Sequence, residues 1–259
     1  MNSEARQRGV ARQRIILLLL IGVSFFPPSV HSQTSQVKAA DAATAVAEIL
    51  DAAEQAMGKE AARASIRSVS LVAVCRGPRG DYETRMISER SGNLSFQQFF
   101  PDHKNIAGIL DGRGWQLADK GRLEWIDPIE TFVLRSHEFP LVALDLEKRF
   151  HDFRTIGRAQ FQGQETTQIA MTDQLGHPSS AYFSLTSHLL VGITDTNARA
   201  GGPQNITIRF DKWRRTNGVN LVSHVTIFSG SETYVFNFKS LRVNVAEKNA
   251  FQIPVTGPR

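Results

Sequence analysis

LSFQQFFPDHKNIAGILDGRGWQLADKGRLEWIDP, residues 94 to 128, is the stretch whose reading decides the fold. It breaks into four short extended segments joined by turns at PDH, DGRG and DKG. Leu94, Phe96 and Phe100 alternate with Ser95, Gln97 and Phe99, and a side-chain period of two puts the first set on one face of a sheet. Gly112, Gly114 and Gly121 stand where tight hairpin connections need positive φ, so an antiparallel meander is expected. Trp115 and Trp125 both fall inside it.

Upstream, residues 39–57 (AADAATAVAEILDAAEQAM) place Val46, Ile49, Leu50 and Ala53 at helical spacing, with Gly58 as C-cap. One amphipathic helix lying on the sheet is expected. Residues 65–75 then read as a first strand, GPRG as a turn, and residues 81–89 as a more polar second strand. Its loose alternation suits a sheet edge or a wet mouth. Downstream, residues 129–150 (IETFVLRSHEFPLVALDLEKRF) change period and fit two short helices broken near Pro140, because proline removes an amide donor and clashes with the preceding turn. A segment this apolar is buried against something, either as core packing, the ordinary case, or as a lid.

From residue 161 onward the chain reads as six strand runs punctuated by LGHP, AGGP, TNG and SGS. Ile206, Ile208 and Phe210 alternate with Asn205, Thr207 and Arg209; Tyr234, Phe236 and Phe238 alternate with Val235, Asn237 and Lys239. Such alternation gives one wet and one dry face, the mark of antiparallel sheet rather than βαβ units. The fold class is therefore α+β and mainly antiparallel β. About ten or eleven strands are expected in a sheet that curls into an unclosed barrel, with two or three helices on its concave face.

The first 32 residues read as a separable leader. Arg6, Arg8, Arg12 and Arg14 precede an apolar core at residues 15–26, and PPSVHS ends in a small residue. Such a core is short for a bilayer span, and no cysteine follows it to carry a lipid anchor, so cleavage after Ser32 and a soluble chain outside the cytoplasm are expected. Four Arg and one Glu leave with the leader. The net charge of +5 thereby falls to +2, which removes the argument for nucleic acid as partner. Cys75 is the only cysteine, so no internal disulfide forms; its place in the strand-like SVSLVAVC reads as a buried structural thiol.

Motifs for catalysis and cofactors are missing: no G-x-S-x-G, H-E-x-x-H, Walker loop or C-x-x-C occurs. DGRG lacks the third glycine of a dinucleotide loop and reads as a hairpin turn. His103, His137, His151, His177, His188 and His224 form no i+2 or i+4 pair within an element, so no metal site and no cofactor are expected. His137 and Glu138 adjoin, but neighbours on a helix point about 100° apart, so they read as solvated polar residues rather than an acid–base pair. KWRR at residues 212–215 reads as a hairpin end with Trp213 stacked under an arginine stem.

The order of motifs resembles that of the LolA/LolB-like family of periplasmic lipoprotein and lipid carriers, with the wider outer-membrane lipoprotein-sorting group. VAEILDAAEQAMGKEAARASIRSVSL is similar to its opening helix and first strand, and FFPDHKNIAGILDGRGWQLAD to its P-x-x-x and D-G-x-x-x-W hairpin. YFSLTSHLLVGI resembles its strand pair, and LRVNVAEKNAFQIP its closing N-x-x-x-x-x-x-F-x-x-P segment. The lipoprotein carrier has an arginine just before the hairpin proline, where this chain has Phe100, so that arginine's part in holding a lid shut is not carried over. Ser184 stands where the sorting group commonly has an acidic residue, and Gly58-Lys59 where it has a double glycine.

The resemblance implies one periplasmic lipid-binding domain over residues 33–259, with an apolar cavity that shields acyl chains and a helical lid around Pro140. Phe96, Phe100, Ile106, Trp115, Trp125, Phe132, Leu144 and Phe183 are the expected cavity wall. The expected partners are a lipid or acylated lipoprotein and, transiently, an inner- or outer-membrane protein, and no catalysis is expected. A lipid-sensing regulatory module of the same fold that contacts a membrane partner is the alternative. An enzyme would require His103 or His137 beside a buried carboxylate in a cleft.

Overall fold

The computed structural model describes residues 36–118, 121–199, 202–245 and 249–254. The leader, with its expected cleavage after Ser32, lies outside the described residues, as do two residues of the DKG turn. Two helices open the described part of the chain, α1 (Gln36–Met57) and α2 (Glu60–Ser65). Six strands follow: β1 (Ser68–Gly77), β2 (Gly80–Glu89), β3 (Leu94–Phe99), β4 (Lys104–Leu110), β5 (Arg113–Leu117) and β6 (Leu123–Trp125). Three short helices, α3 (Pro128–Arg135), α4 (Phe139–Leu144) and α5 (Leu146–Arg149), lead into β7 (Phe150–Phe161) and β8 (Gln164–Asp173). The chain continues through β9 (Pro178–Ser184), β10 (Leu190–Arg199), β11 (Gly202–Thr216), β12 (Val219–Ser229) and β13 (Glu232–Val243).

All thirteen strands form one antiparallel sheet in the order β6-β5-β4-β3-β2-β1-β13-β12-β11-β10-β9-β8-β7. The sheet is curved and unclosed, since β6 and β7 remain edges. This is the expected architecture with more strands than the ten or eleven read from the sequence. β7 is the main addition. Its residues His151, Asp152, Arg154 and Arg158 carry no apolar alternation, because an edge strand faces water along much of its length. Two register shifts against β8 and the 60% exposed Ile156 mark it as such an edge.

The central meander forms as read, and its register fixes what faces inward. Ser88, Leu94 and Ile109 make one cross-strand row, Met86, Phe96 and Ala107 the next, and Thr84, Gln98 and Asn105 a third. β2 is an interior strand between β1 and β3, so its polar alternates are the outer face of the sheet and not an edge. Gly112 does adopt positive φ (79°). Gly114 does not; it is there because any Cβ would strike the Thr131 and Ile126 side chains, which lets α3 lie against the sheet.

Asp127 caps α3 by accepting the Glu130 N–H at 2.7 Å, with Pro128 in the first turn. The break in the roof falls at residues 136–138, before Pro140, which sits in the first turn of α4. A proline there loses only an amide that has no intrahelical acceptor, so it starts a helix instead of breaking one. Every residue of α4 is buried. α1 lies on β7 and β12, α4 on β12 and α3 on β5, so the helices line the concave side.

Candidate functional site

Between the helical roof and the wall lies a partly open cavity of about 560 Å³. On the wall it is bordered by Tyr82, Gln98, Phe100, Asn105, Tyr234 and Phe236 on one side, and by Ile193, Ile206, Ile208 and Ile227 on the other. From the roof come Phe132, Val133, His137, Phe139 and Val142. The turns β1–β2, β8–β9 and β12–β13 border it as well, so it lies toward the end of the sheet that those turns share.

Aromatic rings build the wall. Tyr82 stacks on Phe100 at 4.5 Å between centroids, and Phe100 stacks on His103 at 4.5 Å. Phe236 meets Tyr82 at 6.4 Å and Phe139 at 5.4 Å edge-on, joining sheet to roof. Burial pushes the Tyr82 phenol up. Cys75 stands between Tyr82 and Phe236 in the same cross-strand row, fully buried, its Sγ 3.3 Å from Thr84 Oγ1; burial pushes the thiol up to about 12, and the structural reading stands.

The roof is fastened by charge. Glu138, completely buried, accepts the Ser88 hydroxyl from β2 and pairs with Arg149 at 2.9 Å, a distance of contact without hydrogen-bond alignment. Asp145 takes both Nε (2.8 Å) and Nη2 of Arg90, whose Nη1 also donates to the carbonyls of Arg63 and Ile66. Arg135 Nη2 donates to the Gly92 carbonyl at 2.7 Å. These ties hold the roof helices to the β2–β3 corner. The expectation that His137 and Glu138 are solvated is overturned, because the connection between α3 and α4 runs over the cavity and not over the surface.

The two side chains also part company. His137 Nδ1 lies 3.1 Å from the Val133 carbonyl, and a carbonyl only accepts, so Nδ1 carries the proton. Desolvation pushes its pKa down, so the ring is neutral. Rings of Phe96 (5.3 Å), Phe139 (5.9 Å) and Phe236 (6.5 Å) surround it. His103 pairs with Asp102 at 2.7 Å in the exposed β3–β4 turn, where Asp102 is held below the usual carboxylate range by that contact. Neither histidine is hydrogen-bonded to a buried carboxylate. Among the described residues no group of three or more His, Cys, Asp or Glu could hold a metal ion, and no helix is long and apolar enough to cross a membrane.

Of the side chains expected to form the wall, Phe100 and Phe132 border the cavity. Phe96 faces inward one row away and touches it only through His137. Leu144 and Phe183 border a second, smaller cleft of about 270 Å³ beside α1 and α2. Trp115 and Trp125, in register with Gly108, lie on the outer face together with Ile106, opposite in phase to Asn105, Ala107 and Ile109. Trp115 is buried there by lying over Gly108, and Trp125 is 48% exposed under the Arg113 guanidinium at 4.0 Å. Trp213 meets Phe210 edge-on at 6.4 Å rather than stacking under an arginine. Tyr82, Phe139, Ile193, Ile227 and Phe236 were not expected on the wall, and His137 was read as solvated. The period-two phase of β2, β12 and β13 carried the signal for those on the strands.

No family model and no curated protein matches the sequence. Solved structures do resemble it. A DUF1329 family protein from Desulfovibrio piger is 14% identical over 80% of this chain and 96% of its own, with a TM-score of 0.56. A LolA superfamily protein from Nitrosomonas europaea is 10% identical over 80% and 96%, with a TM-score of 0.55. An outer membrane lipoprotein-sorting protein domain from Vibrio parahaemolyticus is 12% identical over 80% and 97%, with a TM-score of 0.53. At these identities the likeness is one of fold, and the chain has a LolA-like fold.

Proposed function

We propose that residues 33–259 form a soluble periplasmic carrier, exported by the leader at 1–32, that binds an acyl chain of a lipid or lipoprotein and performs no catalysis. The cavity under the roof carries this reading. Its lining is aromatic and aliphatic over most of its extent, the ordinary make-up of a small-molecule site in this volume range. A chain carbon takes up roughly the volume of a water molecule in the liquid, about 30 Å³, so 560 Å³ has room for at least one long chain. Each methylene withdrawn from water contributes about 0.8 kcal/mol, so one chain supplies enough free energy for a stable complex even after the losses of association.

The fastenings of the roof fit the same reading. The roof is tied to the sheet through two buried carboxylates, Glu138 to Ser88 and Asp145 to Arg90, so a lid that opens for loading and release would part these two ties. A transient membrane-protein partner would supply or receive the lipid. Native mass spectrometry of protein recovered from a bacterial envelope tests the reading. One chain-bearing lipid per protein is the expected result. A protein that stays empty with fatty acids, lysophospholipids and acylated peptides alike would contradict it.

A further inference from the structure

The cavity is not uniformly oily. Two polar side chains border it with hydrogen-bonding capacity that the described protein leaves unused. His137 spends its Nδ1–H on the Val133 carbonyl, so its Nε2 is a bare lone pair with no protein donor, ringed by Phe96, Phe139 and Phe236. Asn105 gives its Nδ2 to Gln98 Oε1 at 3.4 Å, while its Oδ1 is buried without a partner. These belong to neighbouring inward rows, since Asn105 stands in register with Gln98, and Phe96, against which His137 packs, is in register with Ala107. Two unmet acceptors beside an apolar chain site are costly unless something donates to them.

Resting on the carrier reading, we propose that the chain held in this cavity bears a hydroxyl group, and that His137 Nε2 receives its hydrogen bond. The chemistry of the site selects that group. A carboxylate has no proton to give the His137 lone pair, and an ammonium, though aromatic rings suit a cation, has no lone pair for the N–H groups that the Asn105–Gln98 amide pair does not use on itself. A hydroxyl donates its one proton to the imidazole and can still accept, so it complements Asn105 when the Asn105 and Gln98 amides are both turned, Gln98 Nε2 then donating to Asn105 Oδ1 and Asn105 Nδ2 facing the ligand. The site therefore distinguishes a hydroxylated acyl chain from a plain one of equal length.

Isothermal titration calorimetry with hexadecanoic acid and a positional series of its monohydroxy derivatives tests this. The protein is expected to bind one position of the series at least about fivefold more tightly than the plain acid, the effect of one hydrogen bond in a shielded site. His137→Phe, which keeps the ring and loses the acceptor, is expected to bind plain and hydroxylated chains alike. His137→Gln, which restores an acceptor, is expected to regain part of the preference, and it also serves if the phenylalanine variant does not fold. Equal affinity across the whole series in the unaltered protein would overturn the hydroxyl proposal and leave the carrier reading intact. A preference that survives in His137→Phe would overturn the assignment to His137, and failure to bind any chain would overturn both.

Discussion

Along the inner face of this sheet, one two-residue step separates packed from hollow. On β12, Val225 is fully buried in the core, whereas Ile227 borders the cavity. On β13 the step lies one row farther in, from Phe238 to Phe236, which stands in register with Val225, and on β3 it runs from Phe96 to Gln98, so the boundary crosses the sheet obliquely. The strands continue unchanged through the step, with the same register and the same face. What changes is the cover. Where α4 rests on β12 the gap is filled, and farther along the roof stands off the wall. Over the hollow the roof meets the wall through Phe139 on Phe236, and it is tied to the sheet beside it by Glu138 on Ser88 and Asp145 on Arg90.

Variants that treat the two regions alike should expose this difference. The largest effect is expected at the fastening. Glu138→Leu leaves Arg149 without its partner and Ser88 without its acceptor, and the loss of stability should be about 3–5 kcal/mol in urea unfolding, as for other broken buried pairs. A loss under about 1 kcal/mol would mean that packing, not charge, holds the roof. Next comes a matched pair of fillings. Val225→Trp overpacks a solid row and should cost about 1–3 kcal/mol or more, whereas Ile227→Trp projects into the cavity and should stay within about 1 kcal/mol of the unaltered protein. The second variant should also lose chain binding at least tenfold. Equal destabilisation by the two would show that the hollow does not persist in solution.

The smallest effect is electrostatic. Because enclosure lowers the His137 pKa, the unfolded chain takes up a proton that the folded one refuses. The contribution to stability is complete above pH about 6.5 and declines as pH falls below it toward the depressed folded value. His137→Phe should therefore flatten the decline of melting temperature between about pH 7.5 and 5.5 relative to the unaltered protein. An identical decline in both would place the ring in water.

How far the sequence foretold all this depends on which link is asked about. The meander at residues 94–125 was legible because alternation and turn glycines agree, and the later strands were legible for the same reason. β7 was not, because an edge strand is under no pressure to alternate. The helical roof was read correctly as buried, but Pro140 was taken for a break when its position in a first turn makes it a start. Alternation tells two faces apart without saying which one is concave. That is why Trp115 and Trp125, the most conspicuous side chains of the meander, were assigned to the cavity and lie on the outside. Within the inner face a wall residue and a core residue obey the same pattern, so Phe100 and Phe96 could not be separated before the roof was placed. Nor could the burial of His137 and Glu138 be read from SHEF, since it arises from where the connection crosses the fold.

The central claim is that a chain lies between the α3–α4 roof and the wall formed by Phe100, Ile227 and Phe236. It is tested most directly by photocrosslinking with a fatty acid that carries a diazirine near its methyl end, followed by peptide mapping. Labels are predicted on peptides that contain Phe132, Phe139, Ile193, Ile227 or Phe236, and they should disappear in Ile227→Trp. Labels confined to the outer face around Trp125, or to the β7 edge around Ile156, would contradict the account.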